Sequence, residues 1–151
     1  MALRERKCMV IETNSSKETY DCGFRMGQEA RQGQIICLEG DLGVGKTVFT
    51  QGFADGLGVD EPICSPTFTI IQEYTHGRLP LYHFDVYRLG SCEEMDEIGY
   101  EEYFYSDGVC LVEWGNLFPE LFPENTTYVR IEKNLDKGFD YRTITIQEGH
   151  E

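Results

Sequence analysis

Residues 34–47 read QIICLEGDLGVGKT: a short apolar run, Ile35 to Leu38, then a glycine loop ending on a lysine and a hydroxyl. An uninterrupted apolar run bounded by turn residues reads as a strand buried on both faces. GDLGVGKT (40–47) fits the spacing G-x-x-x-x-G-K-[ST] through Gly40, Gly45, Lys46 and Thr47. Average residue usage produces that pattern by chance in about 0.5% of chains of this length. The residues that follow, KTVFTQGFADGL, read as a helix stopped at Gly58. Strand, glycine loop and helix, in that order, is the setting a phosphate cradle requires. Glycines let backbone N–H groups turn inward around phosphate oxygens. Lys46 is positioned to reach the terminal phosphates and Thr47 to place its hydroxyl on a magnesium ion, while the helix N-terminus adds the positive end of its dipole. These residues predict a site for ATP or GTP with Mg2+.

Such a loop needs a further acid for the metal, at the end of a neighbouring buried strand. Asp85, after LYHF, and Glu113, after VCLV, are the two candidates. Glu113 fits better, because four apolar residues precede it without interruption. Asp85 lies two residues from His83, so both face one side of a strand, as a catalytic pair or as a hydrogen-bonded structural one. Arg88 reads either as a phosphate or partner contact or as an exposed strand-end arginine, and Trp114 as packing more than recognition. SPTFT (65–69) occupies the place of a mobile switch, although Ser-Pro also simply starts a turn.

Around this centre the remaining elements follow from pattern. Ser15 and Glu18 form a possible capping box for a helix over about residues 16–32, closed by Gly33. TFTIIQEY (67–74) and PLYHFDVY (80–87) read as a hairpin, SCEEMDEIGYEEYF (91–104) as helix in one or two pieces, and VCLVEW (109–114) as a buried strand. TTYVRIEK (126–133) and YRTITIQ (141–147) alternate and predict a second hairpin. The expected fold is α/β, a P-loop NTPase-like sandwich with a central mixed β-sheet flanked by helices, as a single domain over 1–151.

Composition bounds the function. The six cysteines are scattered, without a CxxC pair or a histidine at metal-ligand spacing, which points away from zinc and redox motifs. No apolar run approaches the ~20 residues of a membrane span, and the N-terminus lacks a signal-peptide core, so the expected location is cytoplasmic, with no membrane partner. A net charge of −14 repels phosphate backbones, so any nucleic-acid role calls for a basic partner to carry the contact.

GDLGVGKT, SPTFTIIQEY, LYHFDVYRL and LVEWGN, in this order, resemble the bacterial TsaE (YjeE) family, and the likeness runs from Glu18, Thr19 and Gly23 to the last hairpin. The resemblance implies a small ATPase serving formation of threonylcarbamoyladenosine in tRNA, on the adenosine beside the anticodon. It implies TsaB and TsaD as partners, with tRNA contacted indirectly if at all, and hydrolysis that resets the complex. Carried over by motif, Gly43, Val44, Gly45, Lys46, Thr47 and Val48 wrap the phosphates, Thr47 and Glu113 hold Mg2+, and Asp85 stands near the γ-phosphate. Ser16 and Gly138 would lie near the base. Val48 stands where the family often has a second threonine, which removes one side-chain hydrogen bond but leaves the backbone N–H. From the residues alone, a small-molecule kinase or a non-catalytic, ATP-gated binding subunit remain open as alternatives.

Overall fold

A computed structural model describes residues 8–41, 43–63 and 71–149. Its elements in chain order are β1 (Cys8–Thr13), α1 (Ser16–Glu29), β2 (Ile35–Glu39), α2 (Lys46–Gly56), β3 (Ile71–Tyr74) and β4 (Leu81–Asp85). Then come α3 (Cys92–Glu97), α4 (Tyr100–Phe104), β5 (Val109–Glu113), β6 (Thr127–Lys133) and β7 (Arg142–Gln147). The strands form one sheet in the order β1-β7-β6-β2-β5-β4-β3. Strands β6, β2, β5 and β4 run parallel, β7 and β3 flank them antiparallel, and β1 pairs antiparallel with β7 at the edge. This is the expected α/β architecture with a mixed sheet.

Strands β2 and β5 are apolar up to their terminal glutamates because both faces are covered. Ile36, Leu38, Val109 and Leu111 pack with Phe49 and Phe53 of α2. Their alternates Ile35, Cys110 and Val112 pack with Phe84, Met95 and Phe104 on the other face. Period-2 alternation therefore sends His83 and Glu113 to the α2 side, in step with Leu81 and Leu111.

Helix α1 rests on α2 through glycines. An added Cβ would lie 2.3 Å from the Phe49 carbonyl oxygen at Gly23 and 2.1 Å from that of Phe53 at Gly27. From α2, Gly52 and Gly56 approach the Tyr20 and Phe24 carbonyls at 2.2 and 2.1 Å in the same sense. Backbone thus meets backbone, and the GxxxG spacing in both helices was a signal that the periodicity reading passed over.

Several expectations shift in detail. Ser15 Oγ accepts from the Glu18 N–H at 3.2 Å, but Glu18 Oε1 accepts from Asn14 rather than from Ser15. Helix α1 ends at Glu29, short of residue 32. There Arg78 donates to the carbonyls of Gly27, Gln28 and Ala30 at the helix end, the first of which also accepts the Ala30 N–H. Ser91 precedes α3 without a side-chain cap, and Glu94 instead accepts from the Gly90 N–H. The 91–104 helix is two pieces, separated around Gly99. Strand β1 went unread in CMVIET, whose apolar residues are largely exposed at the sheet edge. SPTFT and the first part of TFTIIQEY lie outside the described residues.

Candidate nucleotide-binding site

Three adjacent parallel strands end together. Leu38 of β2 is in register with Glu113 of β5, and Glu113 with Asp85 of β4. The glycine loop leaves β2 at this edge, so the loop and both acids share the carboxyl ends of the strands, where ligands bind in open α/β sheets. In the loop, Gly43 and Gly45 stand at φ 75° and 110°, left-handed conformations that residues with a Cβ resist. Between them Val44 is buried in the core beneath. Helix α2 begins at Lys46, so its unpaired N–H groups open toward the loop.

Lys46 is nearly buried, at 7% exposure, with Nζ 4.1 Å from the centre of the Trp114 ring. The ring quadrupole offsets part of the desolvation of the ammonium. Trp114 adopts φ 65°, unusual for a bulky residue, and its ring also meets Tyr87 at 4.8 Å. Packing is thus part of its role, as the sequence suggested, while the contact with Lys46 was not legible there. Thr47 is exposed at the first turn of α2.

Glu113 is buried and its Oε2 lies 2.7 Å from Nε2 of His83, itself 1% exposed. His83 therefore pairs with Glu113 and not with Asp85 on its own strand. Among the described residues His83 Nδ1 has no partner, which makes Nε2 the protonated nitrogen when the ring is neutral, donating to the carboxylate. Asp85 Oδ1 accepts from the Tyr87 N–H at 3.1 Å, shaping the turn after β4.

A small pocket beside the loop is lined by Ser16, Thr19, Gly45, Val48, Asp140 and Arg142. It places Ser16 beside the loop residues Gly45 and Val48. From the last hairpin it draws Asp140 and Arg142, while Gly138 sits earlier in the turn at φ 141°. Arg142 was missed, because a strand-opening arginine carries no signal until the hairpin folds over the loop. Its Nε donates to the Val44 carbonyl at 2.7 Å.

The donor set suits a magnesium ion held jointly with phosphates: one exposed hydroxyl, Thr47, and one carboxylate, Glu113, held by histidine on one oxygen. Among the described residues no cluster of three or more His, Cys, Asp or Glu could hold a metal alone. Nor is any described helix long and apolar enough to cross a membrane.

Residues 13–144 match the family profile "Threonylcarbamoyl adenosine biosynthesis protein TsaE". The chain belongs to the TsaE family. It is 51% identical over 116 residues to the tRNA threonylcarbamoyladenosine biosynthesis protein TsaE of Bacillus subtilis, covering 77% of this chain and 70% of that protein. The TsaE protein of Treponema pallidum is 44% identical over 134 residues, covering 89% of this chain and 96% of the relative. A crystal structure of Bacillus subtilis YdiB superposes with a TM-score of 0.79 at 41% identity, over 97% of this chain and 88% of that one. Family membership and fold thus agree with the loop in making this a P-loop protein.

Proposed function

We propose that this chain is a Mg2+-dependent ATPase of tRNA threonylcarbamoyladenosine formation, acting in the cytoplasm as a single domain with TsaB and TsaD. The observation that carries this is the convergence of the phosphate loop, Asp85 and Glu113 on one strand edge, in a chain whose relatives are named for that modification. Loop N–H groups and the α2 N-terminus bind the ATP phosphates, with Lys46 supplying the side-chain charge. Thr47 and Glu113 hold Mg2+, which when bound neutralises charge on the phosphates. His83 keeps Glu113 oriented, Asp85 stands toward the γ-phosphate, and Ser16 and Gly138 border the base. Val48 contributes its backbone N–H. Hydrolysis resets the threonylcarbamoyl-transfer complex between turnovers, and turnover is slow alone, because no arginine finger lies in the phosphate loop or its helix. The acidic surface favours docking on a basic protein face over direct tRNA binding.

The test is a reconstituted modification assay with TsaB and TsaD, read beside ATP turnover with and without those partners. Lys46→Ala is expected to abolish ATP binding and Glu113→Ala to weaken magnesium use, both ending repeated modification. Full activity of the Glu113 variant would overturn its metal role. Repeated rounds of modification with a variant that binds but does not hydrolyse ATP would replace the ATPase with an ATP-gated subunit.

A further inference from the structure

Arg142 opens β7, in register with Thr13 of β1 and Lys133 of β6. Its guanidinium reaches the phosphate loop, 98 residues away in sequence, where Nε donates to the Val44 carbonyl at 2.7 Å. Nη1 donates back to the carbonyls of Phe139 at 3.0 Å and Tyr141 at 2.7 Å. A single planar cation thus ties the loop to the end of the β6–β7 connection, with donors in a rigid fork.

The place it grips matters. Val44 has its side chain locked in the core at 2% exposure, while the residues on either side are glycines at positive φ. The Val44–Gly45 peptide turns about the Val44 ψ and the Gly45 φ, and on its Gly45 side there is no Cβ to resist reorientation. No described peptide is cis, and in a planar trans peptide the carbonyl and the following N–H point in opposite directions. A Val44 carbonyl held toward Arg142 therefore turns the Gly45 N–H away from it. Charge-assisted hydrogen bonds are short and strong enough to hold one peptide orientation against the alternatives.

We propose that Arg142 is a positioning residue for the phosphate cradle. It holds the Val44–Gly45 peptide so that the Gly45 N–H faces the phosphates, and it fastens that arrangement to residues 139–141. The proposal rests on the phosphate-loop reading above. Its assigned effect is preorganisation of the loop, which bears on phosphate recognition more than on nucleoside recognition, to which Arg142 contributes only as one wall of the pocket it shares with Ser16.

The experiment titrates the full-length protein with ADP, and separately with adenosine, in magnesium-free buffer containing EDTA, by calorimetry. Arg142→Ala is expected to weaken ADP binding about 30-fold, the scale of one hydrogen bond to a charged group, and to weaken adenosine binding by no more than about 5-fold. Arg142→Lys, which restores the charge and an ammonium donor but not the planar fork, is expected to recover part of the loss. Wild-type ADP affinity in folded Arg142→Ala or Arg142→Gln overturns the proposal, as does an equal loss for ADP and adenosine, which marks a merely structural role. Thermal melting of each ligand-free variant establishes folding, and where Arg142→Ala does not fold, Arg142→Gln and Arg142→Lys carry the test. Lys46→Ala is measured alongside. Wild-type ADP affinity in that variant would mean the phosphate-loop reading itself has failed. Loss in Lys46→Ala with none in the Arg142 variants overturns the positioning role alone.

Discussion

Replacing Gly27 with alanine sets a methyl carbon 2.1 Å from the Phe53 carbonyl oxygen and 3.1 Å from Gly56 Cα. Side-chain carbons essentially never approach closer than 3.0 Å, so α1 and α2 must part by roughly 1 Å, with backbone on both sides and no flexible side chain to yield. Two effects of opposite sign compete. Alanine in a helix interior is favoured over glycine by about 1 kcal/mol, whereas overpacking a closely fitted interface costs about 1–3 kcal/mol. Backbone-to-backbone contact belongs at the upper end, so the expected net loss is about 1–2 kcal/mol, or about 2–8 °C in Tm for a chain of this size. Urea unfolding followed by circular dichroism measures it. The double variant with Gly56→Ala, whose new carbon meets the Phe24 carbonyl at 2.1 Å, is expected to lose less than the sum, because one separation relieves both clashes. A Gly27→Ala protein stabilised by about 1 kcal/mol would refute the reasoning, since only helix propensity would then be acting.

The buried pair at the strand ends offers a second check. His83→Leu leaves the Glu113 carboxylate, at 9% side-chain exposure, without its partner, and is expected to cost about 2–3 kcal/mol by urea unfolding, with His83→Gln recovering part of it. An unchanged midpoint for His83→Leu would show that the bond contributes nothing. The cysteines provide a third. Burial pushes the Cys110 thiol up to about 12 and raises that of Cys37 as well, whereas Cys8 is exposed on the edge strand. Since the thiolate is the reactive form, its fraction at pH 8 is small in the buried pair. Brief iodoacetamide labelling read by mass spectrometry is expected to modify Cys8 and spare Cys37 and Cys110. Equal labelling of Cys110 and Cys8 in the folded protein would contradict the buried placement.

Where local chemistry dictates local structure, the sequence was enough. IICL and VCLV are apolar without interruption because strands covered on both faces have no polar side, and that property belongs to the residues themselves. GDLGVGKT announces its turn and its ligand together, because left-handed backbone demands glycine and phosphate demands a cation and N–H groups. Glu113 stood out as a candidate for the same reason, because it ends an uninterrupted apolar run. The edge strand β1 was not legible, since its exposed residues answer to pairing with β7 and not to a core.

Partnerships between distant segments were the province of tertiary structure. Spacing placed His83 with Asp85, but the parallel register of β4 and β5 brings His83 to Glu113. Trp114 looked like packing until α2 set Lys46 over its ring. Arg142 looked like the first residue of a strand until the last hairpin carried it to Val44. Motif and periodicity record what a residue demands of its own backbone and immediate neighbours. Hydrogen bonds and ring contacts between segments depend on distance in space, which this chain settles only when its strands take their register and α1 closes, glycine to backbone, on α2.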